Sequence, residues 1–253
     1  METPPQLINK PEKLFIDNEN YKYTQTRVQA TQSIHLHENR VITGFKPGKW
    51  LESYKMLRTR CLQVMDAMSW NTLAITSPTN STGNSLTAVN LAISMAMELN
   101  RSVLLVDANF TNPSVCNLFG IKAEAGLGDY LSHDTPLNEL LINPSMDRLV
   151  VLPAGKEMLN STEMLRSPKM IRLVNELKNR YPSRIIIFDL PPLLSQADTL
   201  GFSPYVDCVL IVVEEGHTKT EELKQAAVLL KEVNVLGTIF NKATDNKIKY
   251  TAA

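Results

Sequence analysis

The sequence lacks an excess of either charge: 26 Lys and Arg stand against 26 Asp and Glu, a formal net charge of zero over 253 residues. That balance excludes a basic nucleic-acid coat and an acidic tail protein, so any charged binding site must be local. Cysteine is scarce, and Cys61, Cys116 and Cys208 lie too far apart to form a C-x-x-C pair. Such usage suits a reducing cytoplasm and speaks against a zinc site. Long apolar runs are missing as well. The longest, such as Val209 to Val213, are strand-sized, far short of the roughly 20 residues of a membrane-crossing helix. The first 20 residues have no charged-then-apolar-then-small layout of a signal peptide. The expectation is a cytoplasmic protein that reaches a membrane only if a partner holds it there.

What is present is ordinary globular composition, 43% hydrophobic and 21% charged, with ample apolar material for a core. Residues 1–45 carry no sustained apolar period and include Pro4, Pro5 and Pro11, which predicts a loosely ordered arm. His35 and His37 within it have no neighbouring cysteine or acidic cluster to complete a metal shell and read as a solvated pair. Pro47-Gly48 is a turn signal, and residues 46–253 are expected to form one domain.

From Trp50 to Met68 apolar residues recur at helical spacing, with Glu52, Lys55 and Arg58 along one line of the helix surface. By themselves these three read as a solvated face with weak ion pairs of about 0.2–0.5 kcal/mol each. The pattern then changes. Thr72–Thr76, Ser102–Val106, Arg148–Leu152, Arg184–Phe188, Cys208–Val213 and Val235–Phe240 are short, β-branched, nearly continuous apolar runs, as strands buried on both faces require. Helical stretches lie between them, notably Ser85–Leu99, Ser161–Arg180 and Thr220–Glu232. Alternation of this kind predicts an α/β fold, a mainly parallel sheet with helices on both faces. Ligands in such folds bind at the carboxyl ends of the strands.

The first of those ends carries Ser77 to Leu86, SPTNSTGNSL, before a helix. A small-residue loop between a buried strand and a helix cradles phosphate with backbone N–H groups and the helix dipole. A regular Walker A loop has glycine where Ser81 stands and lysine where Asn84 stands; Gly83 and Ser85 fit, and no lysine lies within the loop. Taken alone, a Ser/Thr/Asn-rich turn capping a helix explains the segment equally well. Two further strand ends alter the balance. SVLLV ends in Asp107 and RIIIF ends in Asp189, and paired carboxylates near a phosphate loop, with the Ser85 hydroxyl, are where a hard cation is held.

Read in order, these segments resemble the cytoplasmic kinase domain of bacterial tyrosine kinases. This is the capsular polysaccharide family within the MinD/ParA-type P-loop ATPases. The resemblance runs from about Trp50 to Lys242. LESYKMLRTRC is similar to the family's E-A-Y-R-x-L-R-T segment, AITSPTNSTGNSLTAVNLA to its Walker A block and VLLVDANFTNPSVCNLFG to its second, Walker A′ block. IIIFDLPPLLSQAD is similar to its Walker B block, and VLGTIFNKA to the strand whose Asn contacts adenine.

The resemblance implies a P-loop NTPase fold that binds ATP or ADP with magnesium. It implies that Ser81, Thr82, Gly83, Asn84, Ser85 and Leu86 line the phosphates and that Asn241 meets the adenine. Ser85, Asp107 and Asp189 hold the metal, and Asp107 assists the attacking hydroxyl. Asn109 stands where the family has a second catalytic aspartate, and Thr111-Asn112 replaces a pair of arginines. Glu52, Lys55 and Arg58 match an E-x-x-R-x-x-R oligomerisation motif, with Lys55 in place of an arginine. Tyr250 is the one tyrosine of a tail that in the family carries a cluster of autophosphorylated tyrosines.

These departures fall on the chemistry while the core strands match. The expected function is therefore regulation of exopolysaccharide or capsule synthesis and export with weakened or lost catalysis, beside a membrane polysaccharide copolymerase. An active ATP-dependent tyrosine autokinase is the alternative. A MinD/ParA-like positioning ATPase is a further one, although Thr79 stands where that group has its signature lysine.

Overall fold

In the computed structural model, which describes residues 26–43, 49–133, 135–181 and 183–243, the six apolar runs all become strands of one sheet. They are β2 (Thr72–Thr76), β3 (Ser102–Asp107), β5 (Leu149–Leu152), β6 (Arg184–Asp189), β7 (Cys208–Glu214) and β8 (Val235–Asn241), joined by β1 (Arg27–Val28) and β4 (Ile142–Asn143). The order across the sheet is β1-β4-β5-β3-β6-β2-β7-β8. Neighbours are parallel except for the antiparallel pair β4 and β5. Asp107, Asp189, Glu214 and Asn241 each close their own strand, one residue beyond the apolar run, because a polar side chain is free to leave the sheet there.

Residues of one strand alternate between two cores because successive side chains point to opposite faces. Leu73 and Ile75 of β2 join Val103, Leu105, Ile185 and Ile187 in one core. Its cover is α1 (Ser33–Glu38), α2 (Lys49–Ala67), α3 (Asn84–Ala96) and α4 (Val115–Phe119). Ala74, Leu104, Val106, Ile186 and Phe188 face the other way. There they meet α5 (Leu127–His133), α6 (Leu137–Leu140), α7 (Ser161–Leu165), α8 (Pro168–Arg180), α9 (Asp198–Phe202) and α10 (Thr220–Leu229). The three layers are those expected of an α/β sheet buried on both faces.

Four local expectations are corrected. The helix expected over Ser161–Arg180 is two helices, α7 and α8, because proline at 168 disfavours helical backbone in the residue before it. Ser167 is extended and caps α8, its Oγ accepting from the Met170 N–H at 3.1 Å. The helix expected over Ser85–Leu99 stops at Ala96. Its last carbonyl accepts instead from Arg148 Nε at 3.0 Å, and Arg148, with φ +60°, stands outside the strand it was expected to begin. The run at β8 is not buried on both faces: β8 is a sheet edge, with Val235 and Phe240 exposed.

The largest correction concerns the N-terminal arm. Residues 26–43 are part of the sheet and core: β1 pairs with β4, and Leu36, Val41 and Ile42 are buried. The Asn90 side chain clips this segment to α3, accepting from the Ile42 N–H at 2.9 Å and donating to the Arg40 carbonyl at 3.1 Å. His35 is half-buried, its Nε2 bonding the Asn117 carbonyl oxygen at 2.7 Å, while His37 is exposed. A six-residue helix with one deeply buried side chain is too short to announce itself as a period. Among the described residues, no helix is long and apolar enough to cross a membrane.

Candidate nucleotide site

β2 lies between β6 and β7 near the middle of the sheet, so the loop after it opens at the carboxyl ends of several buried strands. Ser77–Gly83 forms that loop, and α3 begins at Asn84. Gly83 is the N-cap with φ +87°, a left-handed conformation, and a Cβ at this position would come within 2.3 Å of Asn241 Nδ2. Only glycine satisfies both demands. The Thr87 hydroxyl donates to the Gly83 carbonyl at 2.8 Å, holding the first turn of α3 to the loop. The chain after β6 supports the loop from below, through Leu193 N–H to the Ser77 carbonyl at 2.8 Å and Leu194 N–H to the Pro78 carbonyl at 3.1 Å.

Asn84 does not point along the loop. Its amide donates to the Leu190 carbonyl at 2.9 Å and to Asp189 Oδ1 at 3.2 Å, and the residue is buried. The side chain at the lysine position is thus neutral and committed to the end of β6. Two buried polar atoms nearby have no hydrogen-bond partner, Asp189 Oδ2 and Thr82 Oγ1. Buried polar atoms are almost always satisfied, and those that are not mark ligand sites or strain.

Asp107 and Asp189 are register partners on the adjacent strands β3 and β6. Asp107 Oδ2 accepts from the Ser114 and Val115 N–H groups, both at 3.1 Å, and Oδ1 from the Asn109 N–H at 3.2 Å. Burial pushes its carboxyl up to about 6 despite these three donors. Asp189 is driven well above the usual carboxylate range, first by burial and then by the Asp107 charge, with Ser85 and Asn84 opposing the rise. Two buried carboxylates this close resist ionising together unless a cation joins them. Ser85, Asp107 and Asp189 therefore form a donor set of hard oxygens that fits magnesium.

Asn109 is used differently. Its Oδ1 accepts from the Asn112 N–H at 3.2 Å and from the Thr111 hydroxyl at 3.1 Å, closing a turn, while that hydroxyl also reaches Gln196 Oε1 at 3.0 Å. Asn241 Nδ2 donates to the Thr82 carbonyl at 2.7 Å, which brings the end of β8 against the loop. The fold thus gathers Ser81, Thr82, Gly83, Asn84, Ser85, Asp107, Asn109, Asp189 and Asn241 at the carboxyl ends of the strands, with Leu86 in the first turn of α3 beside them.

A lysine absent from the loop in sequence is present at it in space. Lys242 Nζ donates to the Ser81 carbonyl at 2.8 Å and to Glu214 Oε2 at 2.8 Å. Sequence reasoning missed both residues; the one signal was their position at the ends of neighbouring strands, β8 and β7. Glu52, Lys55 and Arg58 lie apart from this cluster, on α2. Tyr250 lies outside the described residues.

The fold is shared by known proteins. The AAA domain family matches residues 71–244. The tyrosine-protein kinase YwqD of Bacillus subtilis is 30% identical over 192 residues, covering 75% of this chain and 80% of that protein. This chain belongs to the bacterial tyrosine kinase family. The kinase domain of the Escherichia coli tyrosine kinase ETK superposes with a TM-score of 0.71 at 26% identity, covering 80% of each chain. EpsB of Ralstonia nicotianae is 28% identical over 202 residues, and the succinoglycan biosynthesis transport protein ExoP of Rhizobium meliloti is 26% identical over 219. These cover 79% and 84% of this chain, but it spans only 26% and 28% of their lengths. Within the family, the chain keeps the P-loop NTPase fold.

Proposed function

We propose that this chain is a nucleotide-binding regulator of exopolysaccharide or capsule synthesis and export whose phosphoryl-transfer activity is weakened or lost. The observation that carries the reading is Asn84, neutral and bonded to the Leu190 carbonyl and to Asp189. A loop lysine contributes a charge-assisted contact to phosphate worth roughly 1.5–3 kcal/mol and offsets charge that develops during transfer. Removing it weakens both binding and rate.

The rest of the site supports retained binding. Backbone of the loop residues Ser81 to Leu86, with the Ser85 hydroxyl, holds the phosphates, and Asn241 lies on the base side. Ser85, Asp107 and Asp189 hold magnesium, which when bound neutralises phosphate charge. Asp107, fixed by three backbone N–H groups, accepts the proton of an attacking hydroxyl in whatever transfer remains. The name of ExoP supports placement in polysaccharide export, at the inner face of the membrane beside a membrane copolymerase. Glu52, Lys55 and Arg58 support self-association into a homo-oligomer, and Tyr250 is the phosphorylation candidate.

The test is titration with a fluorescent ATP analogue, with and without magnesium, on the native chain and on Asn84→Lys. Incubation with radiolabelled ATP follows. The expected result is magnesium-dependent binding by the native chain with no label on Tyr250, and affinity about tenfold or more higher in Asn84→Lys. Label on native Tyr250, abolished by Tyr250→Phe, overturns lost catalysis in favour of an active autokinase. Absence of binding by both proteins overturns the nucleotide reading.

A further inference from the structure

Two non-glycine residues at this site hold left-handed backbone, Ser81 at φ +63° and Lys242 at φ +56°. Side-chain-bearing residues avoid this region because Cβ crowds the carbonyl oxygen, and where they keep it the surroundings impose it, commonly at functional sites. One hydrogen bond joins the two strained positions across 161 residues, from Lys242 Nζ to the Ser81 carbonyl at 2.8 Å. The neighbouring Asn241 binds the next carbonyl, that of Thr82, so the end of β8 is laced to the loop at two successive residues.

The second partner of Lys242 is a charge. Glu214 Oε2 lies 2.8 Å from Nζ, on a side chain only 13% exposed, whereas the lysine side chain is 42% exposed. The same carboxylate has His217 Nδ1 at 3.3 Å. An ammonium has three donors, and these two bonds use two of them. A compact point charge on a flexible stem, resting beside a phosphate loop on a single carboxylate, is open to capture by a ligand of higher negative charge.

We propose that Lys242 is a nucleotide-binding residue: from β8 it supplies to the polyphosphate the positive charge that Asn84 withholds, and Glu214 holds it in place until the nucleotide arrives. The inference rests on the nucleotide reading above and deepens it. The loop keeps its conformation through the Ser81 and Thr82 contacts, and its cation arrives from the opposite end of the sequence. Glu214 acts as a competitor for the ammonium, which separates this role from that of a structural clamp.

The fluorescent ATP analogue, with magnesium, decides the matter on Lys242→Met, Lys242→Arg and Glu214→Gln beside the native chain, each first checked by thermal melting. Lys242→Met is expected to weaken binding about tenfold or more, the loss that follows removal of a charge-assisted contact. Lys242→Arg keeps the charge and is expected to bind within about threefold of native. Glu214→Gln frees the ammonium from its resting partner and is expected to tighten binding about two- to fivefold, the range of a partly exposed ion pair. Unchanged binding in Lys242→Met overturns the proposal. So does weakened binding in Glu214→Gln, because a clamp loses strength when either end is cut. If Lys242→Met fails to fold, the tightening expected of Glu214→Gln still decides, because a structural clamp would weaken there, with Lys242→Arg as the charge-keeping control. Native binding that Lys242→Met leaves unchanged overturns the role of Lys242 and leaves the nucleotide reading standing, whereas no binding by the native chain defeats that reading itself.

Discussion

Asp107 and Asp189 sit side by side at the ends of β3 and β6, and their titration follows from that. An unfolded aspartate titrates near 3.9, whereas burial holds Asp107 at about 6 and Asp189 well above the usual range. Between those values the folded chain keeps protons that the unfolded chain has released. Linkage then makes stability rise as pH falls from about 7 toward 4, and fall as pH rises through about 6. Denaturant titrations in magnesium-free buffer are expected to show this slope, and Asp189→Asn to flatten it. A second residue-level outcome concerns Thr82, whose buried hydroxyl has no partner. Valine has the same shape without the unsatisfied group, so Thr82→Val is expected to stabilise the ligand-free chain by about 1 kcal/mol, read from its denaturation midpoint.

At the scale of elements, α1 and α8 show how local composition and tertiary contact divide the work. Pro168 and Ser167 mark the start of α8 unaided, because a proline at the first helical position and a serine cap before it are local chemistry. Nothing local marks α1. It exists because Leu36 reaches the core beneath α3 and α4, while Ile34, two residues earlier, is 68% exposed. Leu36→Ala is accordingly expected to cost about 2–5 kcal/mol, and Ile34→Ala to stay within about 0.5 kcal/mol, both measured by equilibrium unfolding. Similar costs at the two positions would mean that α1 does not pack as described. Asp207 shows a comparable long-range tie. Its Oδ2 accepts from the Asn71 and Thr72 N–H groups, each at 3.0 Å, and its other oxygen meets Lys178, joining the amino ends of β2 and β7 to α8.

At the scale of the molecule, the proposed self-association rests on the polar line on α2. Glu52 and Lys55 pair with each other at 2.8 Å on the exposed side. Arg58 turns inward, donating to the Ser94 carbonyl at 3.0 Å with its Nε 3.0 Å from Glu98. The three residues share a helix face but not a role. Glu52→Lys is expected to disrupt self-association in sedimentation velocity while changing stability by less than about 0.5 kcal/mol. Arg58→Ala is expected to lower stability by about 1–2 kcal/mol, since it takes the charged donor from the Ser94 carbonyl of α3. An Arg58→Ala chain as stable as native but monomeric would mean that the arginine serves the interface alone.

The amino-acid sequence by itself determined six of the eight strands, β2, β3, β5, β6, β7 and β8, because short β-branched apolar runs have few other ways to be buried. It also determined which carboxylates end β3 and β6 and that Asn84 stands in the lysine position, since those are statements about neighbours along the chain. Only the tertiary structure decided what each side chain does there. Asn84 turns to Asp189, 105 residues away, Lys242 reaches Ser81 across 161, and residues 26–43 fold onto α3 instead of trailing as an arm. Contacts of that span leave no periodicity, because they depend on the sheet bringing the carboxyl ends of distant strands together, and that juxtaposition is a property of topology rather than of any local run of residues.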